Sequence, residues 1–214
     1  MKVTFLAAIS AFLILTLTGC GGDNNNSPPL FVTEILSEST IDGDIELDSF
    51  TDVLFIDQGN TQRVRAGVDP VSGNEYRAFL HFSLVSVPLN AIIESAFLEI
   101  FINNVDIEFP NDTIPVRIDL VSFQPPVLIE SDFDFLSRLD VPPVTFPMFL
   151  ADSGDYVTID VTPLMIAAQN LKLSDFQVRI MEDFGDVPLG LIELNDTTGV
   201  NRSILAPLLT VNYF

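Results

Sequence analysis

Glu94 to Asn103 reads ESAFLEIFIN and places Ala96, Leu98, Ile100 and Ile102 on one face. That spacing has period two, the signature of a strand with one buried face, and not the 3.6 of a helix. The same rule holds outward along the chain. Val116 to Phe123 (VRIDLVSF) alternates Val116, Ile118 and Leu120 with Arg117, Asp119 and Val121, and Thr61 to Val68 (TQRVRAGV) alternates Val64, Ala66 and Val68 with Arg63 and Arg65. Similar runs occupy Asp52 to Asp57, Tyr76 to Leu84, Tyr156 to Val161, Phe176 to Glu182, Gly190 to Asn195 and Leu208 to Tyr213. Gly, Pro, Asn or Asp bound each run, as turns require. About nine short strands, each with one buried face, predict an all-β fold, an antiparallel β-sandwich. The 18 phenylalanines are then mainly the filling between two sheets. No repeat of solenoid or propeller period interrupts the pattern, so residues 30–214 are read as one domain.

One segment departs from the strand pattern. After Tyr156 to Val161 comes Thr162-Pro163-Leu164-Met165-Ile166-Ala167-Ala168-Gln169-Asn170. Thr162 suits an N-cap and Pro163 the first helical position, where its missing N–H costs nothing. Leu164, Ala167 and Ala168 fall on one side with Met165 beside them, and Asn170 can close the turn. A short helix across one end of the sandwich is expected. Ser131 and Asp134 have capping-box spacing, so Ser131 to Leu139 reads either as a second short helix or as a loop.

The amino terminus carries a different signal. Met1-Lys2 is a short positive region, and Val3 to Thr18 is apolar or small throughout. The stretch falls short of the about 20 apolar residues of a membrane-spanning helix and reads as a secretory signal. Leu17-Thr18-Gly19-Cys20 resembles the bacterial lipobox, which implies cleavage of residues 1–19 and lipid on Cys20. Cys20 is the only cysteine, so the mature domain forms no internal disulfide, and lipidation consumes the one thiol. Buried acyl chains contribute about 0.8 kcal/mol per methylene, so two or three chains would anchor the protein durably. Residues 20–29 then form the lipidated end and a flexible tether, with GGDNNNSPP from Gly21 to Pro29. Gly21 stands where an Asp would retain a lipoprotein in the inner membrane, which leans the expectation towards the outer membrane or cell surface.

Thirty acidic residues against nine basic ones exclude nucleic acid and anionic lipid headgroups as electrostatic partners of the bulk surface. The excess suits solubility outside the cell, or divalent-cation binding.

Three segments, in order, resemble a known family. Tyr76-Arg77-Ala78-Phe79-Leu80-His81-Phe82-Ser83-Leu84, then Pro88, then Ile93-Glu94-Ser95-Ala96-Phe97-Leu98-Glu99-Ile100 form the first. Val157-Thr158-Ile159-Asp160-Val161-Thr162 is a strand-to-helix step, and Ala206-Pro207-Leu208-Leu209-Thr210-Val211-Asn212-Tyr213 a terminal strand. Together they resemble the disaggregatase-related, or DNRLRE, domain over roughly residues 48–214. The resemblance implies a jelly-roll-like sandwich of exported proteins, some of them carbohydrate-binding modules. Members often carry tryptophans around the Asp-Val-Thr step; this chain has none, and Phe133 to Leu150 is a Pro- and Phe-rich segment that does not align.

Catalytic signals are sparse. His81, the only histidine, sits mid-strand, and no G-x-S-x-G elbow supplies a nucleophile. With so many acids, a pair at glycosidase spacing would arise by chance. Asp42-Gly43-Asp44, Asp152-Ser153-Gly154-Asp155 and Asp183-Phe184-Gly185-Asp186 read either as solvated turns or as oxygen ligands for a structural calcium, the one cofactor the sequence allows. Sugar-stacking rings are limited to Phe and to Tyr76, Tyr156 and Tyr213. The expected function is therefore a lipid-anchored, non-catalytic envelope module binding polysaccharide or another surface polymer. The alternative is a structural or adhesive subunit of an envelope protein assembly, with the apolar segment 141–150 covering a partner or a sheet edge. A third reading, an enzyme, requires a clustered acid pair in a cleft.

Overall fold

The computed structural model describes residues 28–109, 113–123, 127–134, 138–183 and 189–214. The signal, the lipobox and Cys20 lie outside the described residues, as do positions 184–186 of the third acidic turn. No helix among the described residues is long and apolar enough to cross a membrane.

The fold is all-β and sandwich-like, built from one antiparallel sheet that curls back on itself. Twelve strands appear among the described residues: β1 Phe31–Leu36, β2 Gly43–Leu47, β3 Leu54–Gln58, β4 Gln62–Val68, β5 Glu75–Ser83, β6 Ile93–Ile107, β7 Thr113–Val121, β8 Val144–Phe149, β9 Tyr156–Asp160, β10 Asp175–Glu182, β11 Gly190–Asp196 and β12 Leu208–Tyr213. Their main path runs β1-β12-β6-β11-β4-β5-β10-β7-β8, with β2 and β3 branching from β5 and β9 from β6.

The three strands beyond the expected nine lack a clean alternation. β1 is mostly exposed, β2 buries Asp44 on one face as well as Ile45 on the other, and β8 carries Pro147. Proline is tolerated there because β8 is an edge strand, paired only with β7, where Pro147 faces Pro115. Segment 141–150 thus supplies the sheet edge.

The opening stretch behaves as its pattern demands, with Ala96, Leu98, Ile100 and Ile102 all at most 2% exposed. Strand β6 then continues past Asn103. Leu194 pairs with Ile102 and Glu193 with Asn104, which leaves Asn103 as an extra residue. The bulge reverses the inward parity, so Val105 and Ile107 are buried after the even-numbered residues before it. Ser153 Oγ accepts the Val105 N–H at 2.8 Å across the bulge. The first half of β6 pairs with β12 and β9, the second with β11, so one strand serves both layers.

The helix forms over Thr162–Asn170, here α1, and buries Leu164, Met165 and Ala168 in the core between the layers. Its caps differ from the expected ones. Thr162 lies inside the first turn, its N–H bound to Asp160 Oδ1 at 2.9 Å, while its hydroxyl accepts the Ala96 N–H at 2.9 Å. The carboxylate of Asp160, already present one turn earlier, outcompetes the hydroxyl as a cap, and these bonds lower its pKa. At the other end Lys172, at φ 58, takes the left-handed position in place of Asn170. Lys172 N–H bonds Gln169 O and Leu173 N–H bonds Ala168 O, a Schellman closure. Glu130–Asp132 forms a 3-10 turn in which Asp132 Oδ2 accepts the Ile129 N–H, while positions 135–137 of the expected Ser131 to Leu139 element lie outside the described residues. A short helix, α2, spans Arg202–Leu205.

Strands β5 and β10 are buried on both faces. Their second face is roofed by the connection after β7, which packs Phe123, Leu128 and Phe133 against Ile45, Phe79 and Val121. Under this roof Asp119 gathers three guanidiniums: Arg179 Nη2 at 2.9 Å, Arg117 Nε at 2.9 Å and Arg138 Nε at 3.3 Å. Arg179 also donates to the carbonyls of Asp132, Phe133 and Asp134. Arg77 pairs with Glu75 at 2.7 Å, donates to Phe133 O and lies 3.8 Å from the Phe133 ring centroid. Burial lowers the Arg179 pKa, against the hydrogen bond that Arg179 donates to Asp119. Both Arg179 and Asp119 are 0% exposed, so removing one partner strands a buried charge. Asp119→Ala is expected to cost about 3–5 kcal/mol of unfolding free energy, measured by urea denaturation.

Candidate binding surface and buried acid clusters

The layer β1-β12-β6-β9 has one face on the core and one turned outward. Register places its outward residues in rows: Val32, Asn212 and Ser95; Glu34, Thr210, Phe97 and Asp160; Leu36, Leu208, Glu99 and Thr158; then Phe101 beside Tyr156. All are half-buried or exposed. The Phe101 and Tyr156 rings meet edge to face at 5.0 Å, and Tyr156 Oη donates to Ile204 O at 3.0 Å, which fixes the ring's tilt. Asn212 Nδ2 donates to Ser95 Oγ at 2.8 Å. The face therefore offers preset rings, hydroxyls, an amide and carboxylates on a rigid support.

The sheet register turns Phe97 outward, and the pairing of β6 with β9 brings Tyr156 to Phe101. Tyr76 and Tyr213 are buried and unavailable for stacking. Arginine does not join this face; four of the seven arginines lie under or beside the roof on the other layer.

The first acidic turn points inward, while Asp155 is exposed and Asp183 half-buried. Asp42 Oδ1 accepts the His81 backbone N–H at 2.7 Å, and Asp44 accepts from the Arg65 N–H at 2.9 Å and its guanidinium at 3.1 Å. Burial pushes the Asp44 carboxyl up to about 6 against the pull of Arg65. Burial and neighbouring Asp196 push the Asp42 carboxyl well up, and burial raises that of Asp196. Arg202 bonds Asp196 Oδ1 at 3.2 Å. Both acids are 0% exposed, so the pair is closed to any polymer in this conformation. Asp152 and Asp155 bond the N–H groups of Phe149 and Tyr156, and Asp183 lies 3.6 Å from Arg117. Among the described residues, no three of His, Cys, Asp and Glu converge on one metal position.

His81 is 4% exposed, its ring between Asp175 (3.5 Å) and Glu38 (3.8 Å) and against Phe123. It fastens strand β5 to its surroundings and has no nucleophile within these contacts.

Compared with known proteins, the chain matches no family model, and no curated protein matches it in sequence.

Glu182 gives the clearest pH signature. Burial, and then Glu75, raise its carboxyl from 4.5 to about 7. Between those values the folded chain holds a proton that the unfolded chain has released, so stability falls as pH rises from 4.5 to about 7. The loss is about 3 kcal/mol. Glu182→Gln is expected to remove it, seen as a smaller difference between urea midpoints measured on the two sides of that window.

Proposed function

We propose that the protein is a lipid-anchored, non-catalytic β-sandwich of the bacterial envelope that binds polysaccharide or another surface polymer. The outward face of β1-β12-β6-β9 carries this reading: Phe97, Phe101 and Tyr156 present apolar ring surface beside Ser95, Thr158, Thr210 and Asn212. Sugar rings have the matching chemistry, C–H faces that pack on aromatics and hydroxyls that exchange hydrogen bonds. The DNRLRE-like segments support the same reading, since Phe97 lies in the first of them and Thr158 and Asp160 in the second. The sealed Asp42–Asp196 pair favours binding over hydrolysis. Leu17-Thr18-Gly19-Cys20 supports the anchor, and Gly21 the outer membrane.

A docking subunit of an envelope assembly is the second reading. It rests on the hairpin β2–β3, where β3 pairs only with β2 and exposes Phe55 and Ile56, an edge suited to strand addition. In-cell cross-linking with mass spectrometry separates the two readings: a stoichiometric protein partner on β3 favours assembly.

Phe97→Ala with Tyr156→Ala is expected to weaken polymer binding by about 2 kcal/mol, about thirtyfold in Kd, with the thermal midpoint little changed because both rings are exposed. Glycan arrays and pull-downs on alginate, pectin and peptidoglycan, with and without calcium, provide the measurement. Blank results on all of them would sink the sugar version. Cys20→Ala is expected to abolish acyl labelling and membrane retention while leaving the sandwich folded. A Cys20→Ala protein that still fractionates with membranes after a salt wash would overturn the anchor.

A further inference from the structure

The ends of the sandwich differ in charge. Four segments meet at one end: 28–33, 84–93, 161–172 and 212–214. Phe31 pairs with Tyr213, which sets Leu30 opposite Phe214. Phe214 and Ile92 exchange backbone hydrogen bonds at 3.1 and 3.0 Å. Gln169 of α1 donates to Pro88 O at 2.7 Å, and Ile166 shares a cavity wall with Ile92. None of the 30 acidic residues falls in these four segments, and Lys172 is their one charged side chain. The acidic side chains begin at the margin, with Glu34, Glu94 and Asp175.

This end is also apolar. Leu89 and Ile92 are each 70% exposed, and Leu30, Ile166 and Phe214 are exposed beside them. Leu30 is where the tether enters. Gly21 to Pro29, fully extended, reaches roughly 30 Å, so an anchored Cys20 keeps this end, and not the opposite one, close to the bilayer.

We infer that this apolar end, whose four segments carry no acidic side chain, docks on the surface of the membrane that holds the lipid anchor. The inference rests on the anchor reading. An acidic body is repelled by anionic headgroups, which turns the rest of the molecule away. Leu89, Ile92 and Ile166 enter the headgroup–acyl boundary as the apolar side of an interfacial segment does. Lys172 faces the phosphates. The protein then stands on end, with the hairpin loop around Phe50, at the opposite end of β5, pointing away.

Cys20 is the only cysteine, so once it is acylated an introduced cysteine is the sole thiol open to labelling. Full-length Ile92→Cys and Phe50→Cys proteins, made in bacteria and checked for the acyl group by intact mass, carry an environment-sensitive fluorophore. They are reconstituted in vesicles of phosphatidylethanolamine and phosphatidylglycerol. The label at 92 is expected to shift to shorter emission wavelength and lose quenching by aqueous iodide, while the label at 50 keeps both. Equal quenching at 92 and 50 on acylated protein overturns the docking and leaves the anchor intact. Protection at 92 that grows with protein-to-lipid ratio identifies a second copy as the occupant and also overturns it. A chain without an acyl group on Cys20 overturns the anchor and this inference together.

Discussion

Strand β6 is the member on which the architecture depends, because it belongs to both layers. Its first half holds β12 and β9, and its second holds β11. A regular strand could not do this without turning one set of side chains out of the core. The extra residue at Asn103 shifts the inward positions from even to odd, so both halves keep their apolar face inside. The break leaves backbone groups to be satisfied, and the turn at Asp152–Asp155 supplies them: Ser153 Oγ takes the Val105 N–H, while Asp155 O and the Gly154 N–H bond Ile102. The backbone and the Ser153 hydroxyl of this acidic turn thereby help to close the sheet.

The same economy runs through the other buried charges. A chain with so large an acidic excess still places several carboxylates inside, each with a mechanical task. Asp42 and Asp44 accept N–H groups of β5 and β4, Asp119 neutralises three guanidiniums under the roof, and Asp196 holds Arg202. Ion pairs of this kind contribute little net stability compared with apolar packing, but breaking one is costly. They fix which loop covers which strand, which is what a two-sided strand such as β5 requires.

With the core and the second face of β5 and β10 closed, three surfaces remain to interact. In the proposed reading the aromatic and hydroxyl face of β1-β12-β6-β9 would take a polymer, the apolar end a membrane, and the β3 edge a protein. The first two are compatible in one molecule, since the sheet face stands roughly upright when the end is down. A tethered domain so oriented would present that face sideways along the envelope surface.

Period-two alternation determined the fold class, and the apolar leader before Cys20 determined the export expectation; both are local signals that survive without a structure. Which phenylalanine faces outward was not legible from the alternation. Nor were three strands whose apolar pattern is interrupted: β2 buries a carboxylate beside Ile45, β1 lies at an edge, and β8 contains proline. Alternation also could not identify partners across the sheet. Tyr156 and Phe101 are 55 residues apart, and only the β6–β9 register makes them a pair. The fate of the acidic turns was decided by tertiary structure for the same reason. A carboxylate near a turn has the same sequence whether it faces water, a cation or the N–H of a distant strand, and the choice is made by whichever donor the packed chain brings within reach.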